Sequence, residues 1–143
     1  MRASINGGQP LRRVYRMQNK LGQGPFHGSS MSWLDDPEHL SPSQSLGSVT
    51  DDFGYGILLE LYADLLEHGG YFACGVSALS KIDLWFSATE QKRLALIGFF
   101  VAAFSDVTVL YENDNQLVFW RKSPLSDGYE PIIQVSESSA ISA

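Results

Sequence analysis

From Arg13 to Gln18 the chain alternates: Arg13, Tyr15 and Met17 fall on one side, Val14, Arg16 and Gln18 on the other. That two-residue period predicts a short strand with Tyr15 and Met17 facing the core and Arg16 on the opposite surface. Between residues 57 and 68 the period lengthens. Ile57, Leu58, Leu61, Tyr62 and Leu65 fall on one helical stripe, Glu60, Asp64 and Glu67 fall toward solvent, and Gly69-Gly70 supplies the stop. Residues 71–76 form an apolar run that predicts a buried strand. A second helix is expected over 77–86, capped by Ser77, with Leu79, Ile82 and either Trp85 or Phe86 inward. Ser87-Ala88-Thr89-Glu90 reads as a capping box opening a third helix over 88–97.

After Gly98 the pattern returns to strands, over 99–104, 107–111 and 116–121, with Asn113-Asp114-Asn115 as a tight reversal between the last two. Residues 131–135 add an edge strand. These elements make an α+β fold, a small antiparallel or mixed sheet packed against about three helices. Residues 19–56 lack such periodicity and are punctuated by glycine and proline. They read as a long loop anchored by Phe26, Met31, Trp33, Leu34, Leu40 and Phe53, with a mobile stretch over 41–50. The expected organisation is a flexible leader over 1–11, one α+β domain over 12–135 and a flexible tail over 136–143.

Composition narrows the class. The 143 residues, 44% hydrophobic, suffice for one core. Cys74 is the lone cysteine, so no internal disulfide forms, and no Cys/His spacing suggests zinc. No signal-peptide core and no apolar run near the ~20 residues of a membrane span are present, which places the chain in the cytoplasm of a bacterial or infected host cell. The net charge is −6, unevenly distributed. Arg2, Arg12, Arg13, Arg16 and Lys20 make the first twenty residues basic without an acid, and the rest carries five basic against 16 acidic side chains. Such a body repels nucleic acid and suits a protein partner with a basic surface.

The candidate chemistry is sparse. Gly22-Gln23-Gly24-Pro25 matches neither the phosphate-loop nor the dinucleotide-binding order, so it reads as a turn, with an anion site built from its backbone N–H groups and Arg16 as the alternative. His27 lies beside this loop and is the best-placed histidine for acid, base or ligand contact; His68 falls at a helix C-terminus. Asp35, Asp36, Asp51 and Asp52 lack calcium-loop spacing and read as an acidic protein-contact surface. Cys74, in an apolar run, reads as a small core residue. Trp33 and Trp120, the latter beside Arg121, are contact candidates. The binding set is therefore Arg16, Gly22, Gly24, Phe26, His27, Trp33, Asp35, Asp36, Asp51, Asp52 and Trp120, with no metal ligand and no cofactor.

Four stretches taken in order resemble a group of small uncharacterised bacterial, prophage and phage proteins: Tyr15-Arg16 through Gly22-Gln23-Gly24-Pro25-Phe26, then Phe72-Ala73-Cys74-Gly75-Val76-Ser77 with Trp85-Phe86, then the run around Gly98-Phe99, then Gln116-Leu117-Val118-Phe119. The resemblance spans about residues 13–121 and implies no catalytic residue. A fainter one is to compact mono-ADP-ribosyltransferases. It implies that Arg16 and Ser77 position the nicotinamide nucleotide of NAD, with Glu112 or Asp114 as the late acid, although Gln116 stands where that strand would carry one. The preferred expectation is a small acidic accessory protein that binds another protein, such as a phage-encoded inhibitor of a host or defence protein. An ADP-ribosyltransferase-like enzyme or nucleotide-binding relative, and a structural or assembly protein, are the alternatives.

Overall fold

The computed structural model describes Ile5, residues 10–25 and residues 49–133. Strand β1 spans Arg12–Gln18, helix α1 Val49–Phe53, helix α2 Gly56–His68 and strand β2 Tyr71–Gly75. A 3-10 turn, Leu79–Lys81, leads into the short helix α3, Ile82–Trp85, and then helix α4, Ala88–Leu96. Strands β3 (Phe100–Glu112), β4 (Leu117–Arg121) and β5 (Glu130–Ile132) complete an antiparallel sheet of order β1-β3-β4-β2, with β5 also paired to β3. The fold is α+β, as the periodicity predicts.

Strand β3 organises the sheet. The sequence divides it at Ser105-Asp106, but the two halves form one 13-residue strand in which those polar residues turn to solvent. Its first half pairs with β1, from Gln18↔Phe100 to Arg12↔Val107, and its second half pairs with β4. A register shift interrupts each pairing, between Arg12 and Val14 and between Val109 and Tyr111. Extra residues of this kind bend a strand and increase its twist. The curled sheet brings β1 back to the end of β2, where Tyr15 and Val76 exchange backbone hydrogen bonds of 2.9 and 2.8 Å. Gly75 permits this approach, because a Cβ there would lie 2.6 Å from the Tyr15 carbonyl oxygen.

Each face of the curled sheet has its own core. Side chains from all four main strands converge in one: Val14, Ala102, Phe104, Val107, Leu117 and Phe119, flanked by Ala73 and Tyr129 among others. The other joins Met17, Val76, Phe99 and Val101 to Ile82, Phe86 and Leu94 of the helical segment. Burial on both faces explains why β3 reads as a nearly continuous apolar run.

The helices follow local chemistry where it is strong. Ser87 Oγ accepts from the Glu90 N–H at 3.1 Å and Glu90 Oε1 accepts from the Ser87 N–H at 2.7 Å, so the capping box starts α4 as expected. Gly69, at φ +68°, ends α2 and donates its N–H to Leu65 O. Asn113 Oδ1 accepts from the N–H groups of Asn115 and Gln116, fixing the β3–β4 reversal. Four expectations are corrected. Ser77 caps no helix: it follows Val76, which is held extended by Tyr15, and helical structure starts only at Leu79. Residues 49–53, within the expected loop, are helical. Of the predicted α2 stripe only Ile57 is fully buried, while Leu58 and Tyr62 are exposed. Cys74, expected in the core, is exposed on β2.

Candidate functional site

Arg16, expected on the outer surface, is instead turned onto the glycine loop and β2, so that their groups satisfy one another. The Arg16 guanidinium donates to Gln18 Oε1 at 2.9 Å, to the Cys74 carbonyl across the sheet at 3.0 Å and to the Gly22 carbonyl at 3.1 Å. It therefore clasps the loop and β2 to β1. The loop is turned by Asn19, whose Oδ1 accepts from the Leu21 and Gln23 N–H groups while its carbonyl accepts from Gly22. These amides, which an anion would need, are already committed. Gly22, at φ +84°, lies against Leu125, where a Cβ would meet side chain and backbone. Gly24 lies beside Arg16 Nη2. Burial holds the Arg16 pKa below its ordinary value, and the protein around Cys74 raises its thiol pKa, Arg16 acting in the opposite direction. Cys74 is therefore a protonated thiol at neutral pH.

The basic character of β1 is largely neutralised. Arg12 makes a two-point ion pair with Glu112, at 2.7 and 3.2 Å, which raises the arginine pKa and holds the carboxyl below its ordinary range. Arg13 donates to Tyr15 Oη, Ser105 Oγ and Glu130 Oε1. The strand edge is thus a set of pairs instead of the isolated positive surface that the local sequence charge suggests. Glu112, Asp114 and Ser77 are the residues that the transferase resemblance implies beside Arg16. Glu112 is held by Arg12, Asp114 lies exposed at the β3–β4 reversal, and no described hydrogen bond or ion pair links either one, or Ser77, to Arg16.

A second constellation lies where α1 and α2 dock on the β3–β4 hairpin. Gln116 Nε2 donates to Asp52 Oδ2 at 2.6 Å, Tyr111 Oη donates to Glu60, and the Phe53 and Tyr111 rings sit 5.4 Å apart. At the other end of α2 the Trp120 indole N–H donates to the Gly69 carbonyl at 2.8 Å, with its ring against Gly70. Trp120 is therefore half-buried as a brace for the helix end. Asp51 belongs to α1. Phe26, His27, Trp33, Asp35 and Asp36 lie outside the described residues.

The residue that sequence reasoning missed is Arg121, treated there only as a neighbour of Trp120. Although 2% exposed, it donates to Asp106 and to the carbonyls of Ser123, Pro124 and Asp127, with its guanidinium 4.8 Å from the Phe104 ring centre. Its position in an alternating apolar strand, on the side of Leu117 and Phe119, is the signal that marks it as inward. Among the described residues no group of three or more His, Cys, Asp or Glu side chains is placed to hold a metal ion, and no helix is long and apolar enough to cross a membrane.

Residues 5–128 match the family model described as Bacteriophage T4 Y00F protein. No curated protein and no solved structure matches the chain.

Proposed function

Because the chain belongs to the Bacteriophage T4 Y00F protein family, a small phage-associated family, we propose that it is an accessory protein that acts by binding, occupying the basic surface of a host or defence protein. The observation that carries this reading is the distribution of charge around α1 and α2. Residues 49–70 contain Asp51, Asp52, Glu60, Asp64 and Glu67 and no lysine or arginine, and Asp114 is exposed at the hairpin on which these helices dock. The cations of β1 do not offset this side: Arg12 and Arg13 are engaged by Glu112 and Glu130, and Arg16 is turned onto backbone carbonyls. An acidic side without lysine or arginine steers encounter with a basic partner and loses that advantage as salt screens it.

The test is a host-lysate pull-down with the full chain at low and raised ionic strength, beside a Glu67→Lys, Asp114→Lys variant. Both substituted side chains are exposed. The expected result is a specific protein retained at low salt, lost progressively as salt rises, and retained poorly by the variant. Recovery of no specific protein, or of one indifferent to both salt and charge reversal, overturns the reading.

A further inference from the structure

We propose that the outer face of α2 is a self-association surface and that its occupant is α2 of a second copy of this chain. The inference rests on apolar area, separately from the charge argument above. At 3.6 residues per turn, Tyr55, Leu58, Leu59, Tyr62, Leu65 and Leu66 fall within about 120° of arc, centred about 140° from Ile57, the residue of the helix that is buried. Their exposures are 78%, 55%, 76%, 62%, 38% and 73%. No described strand or helix covers this stripe. Its spacing, three and four residues alternately, is the pattern that interlocks two helices, so it is organised for a helical neighbour instead of being scattered surface leucine.

The area and chemistry favour a second copy as that neighbour. The six side chains together expose on the order of 800 Å², more than the largest apolar patch of a typical monomer and close to what each partner contributes to a standard interface. The stripe itself contains no charge. Glu67 lies well away from its centre and Glu60 accepts from Tyr111 on the side of the body, so pairing brings no acid into the contact. A two-fold axis crossing the helix makes the contact isologous and antiparallel, setting Tyr55 against Leu66 and Leu59 against Tyr62, apolar against apolar at each layer. The resulting dimer presents the acidic flanks twice.

Sedimentation velocity of the full chain from about 1 to 100 µM, at low and raised salt, tests the assignment, since interfaces of this size span micromolar and tighter affinities. The expected result is a concentration-dependent dimer that holds or tightens as salt screens the repulsion between two copies of net charge −6. This is the opposite salt response to that of the acidic partner site, so failure of one proposal is distinguishable from failure of the other. Leu59→Glu and Leu66→Glu each raise the dissociation constant about 100-fold or more while far-ultraviolet circular dichroism stays unchanged, because each buries an unpaired carboxylate only in the dimer. Leu96→Glu, at an 88% exposed position on α4, leaves the dimer intact. A chain that is monomeric throughout, whatever else binds the stripe, overturns the proposal. So does a dimer indifferent to both stripe variants, or one weakened equally by Leu96→Glu.

Discussion

At the scale of single residues, stability concentrates in side chains that hold backbone. Arg121 supplies the donors for three carbonyls of the segment leading to β5, so its removal leaves those acceptors poorly matched beneath Phe104. Arg121→Met is expected to lower unfolding stability in urea by about 3 kcal/mol or more, and Arg121→Lys by nearly as much, because an ammonium lacks the planar fork that reaches several acceptors. A loss below about 1 kcal/mol would mean that water replaces the guanidinium without cost. Gly70 makes a complementary test. It sits at φ +82° with its open face filled by the Trp120 ring, whereas Gly54, at φ +90°, has open space around it. Gly54→Ala bears backbone strain alone, about 1 kcal/mol, and Gly70→Ala bears strain plus displacement of the indole, about 2–3 kcal/mol. Equal thermal shifts for the two would remove the brace role from Trp120.

Among the elements, legibility follows locality. The capping box of α4, the glycine stop of α2 and the asparagine reversal before β4 are complete within a few residues, and the sequence predicts each one. The docked face of α2 is not local: the helix has apolar residues on two sides, and only the β3–β4 surface decides that Ile57 goes in while Leu58 and Tyr62 stay out. The fate of Arg16 was hidden for the same reason, since its partner on β2 is 58 residues away. The ion pair joining the start of β1 to the end of β3 carries a pH signature. Glu112 has a depressed folded-state pKa, so its contribution is present above the ordinary carboxylate range and disappears as pH falls through the folded value. Glu112→Gln should flatten the stability profile between about pH 5 and pH 3, by less than about 1 kcal/mol because the pair is partly solvated. An acid limb unchanged in chemical denaturation would assign the loss to other carboxylates.

The whole molecule depends on a closure that no element contains. Two register shifts bend β3, and the bend is useful only because β1 and β2, at opposite ends of the strand order, meet through Tyr15 and Val76. Closure encloses one core and leaves Met17 and Val76 facing the helices in the other, so opening this seam would loosen both at once. Gly75 is the point at which a minimal change tests that dependence. A Cβ would meet the Tyr15 carbonyl oxygen, a backbone atom that cannot swing aside as the end of a flexible side chain can. Gly75→Ala is therefore expected to separate the two backbones by several tenths of an ångström and lower global stability by about 2–4 kcal/mol. Hydrogen exchange distinguishes the opened seam from general weakening. The Tyr15 and Val76 amides, whose acceptors lie across the seam, should lose protection beyond the global loss, while the β3–β4 pairing, anchored by its own asparagine reversal, should fall only with global stability. Uniform loss across all strands would instead make the sheet one cooperative unit to which the seam adds nothing local.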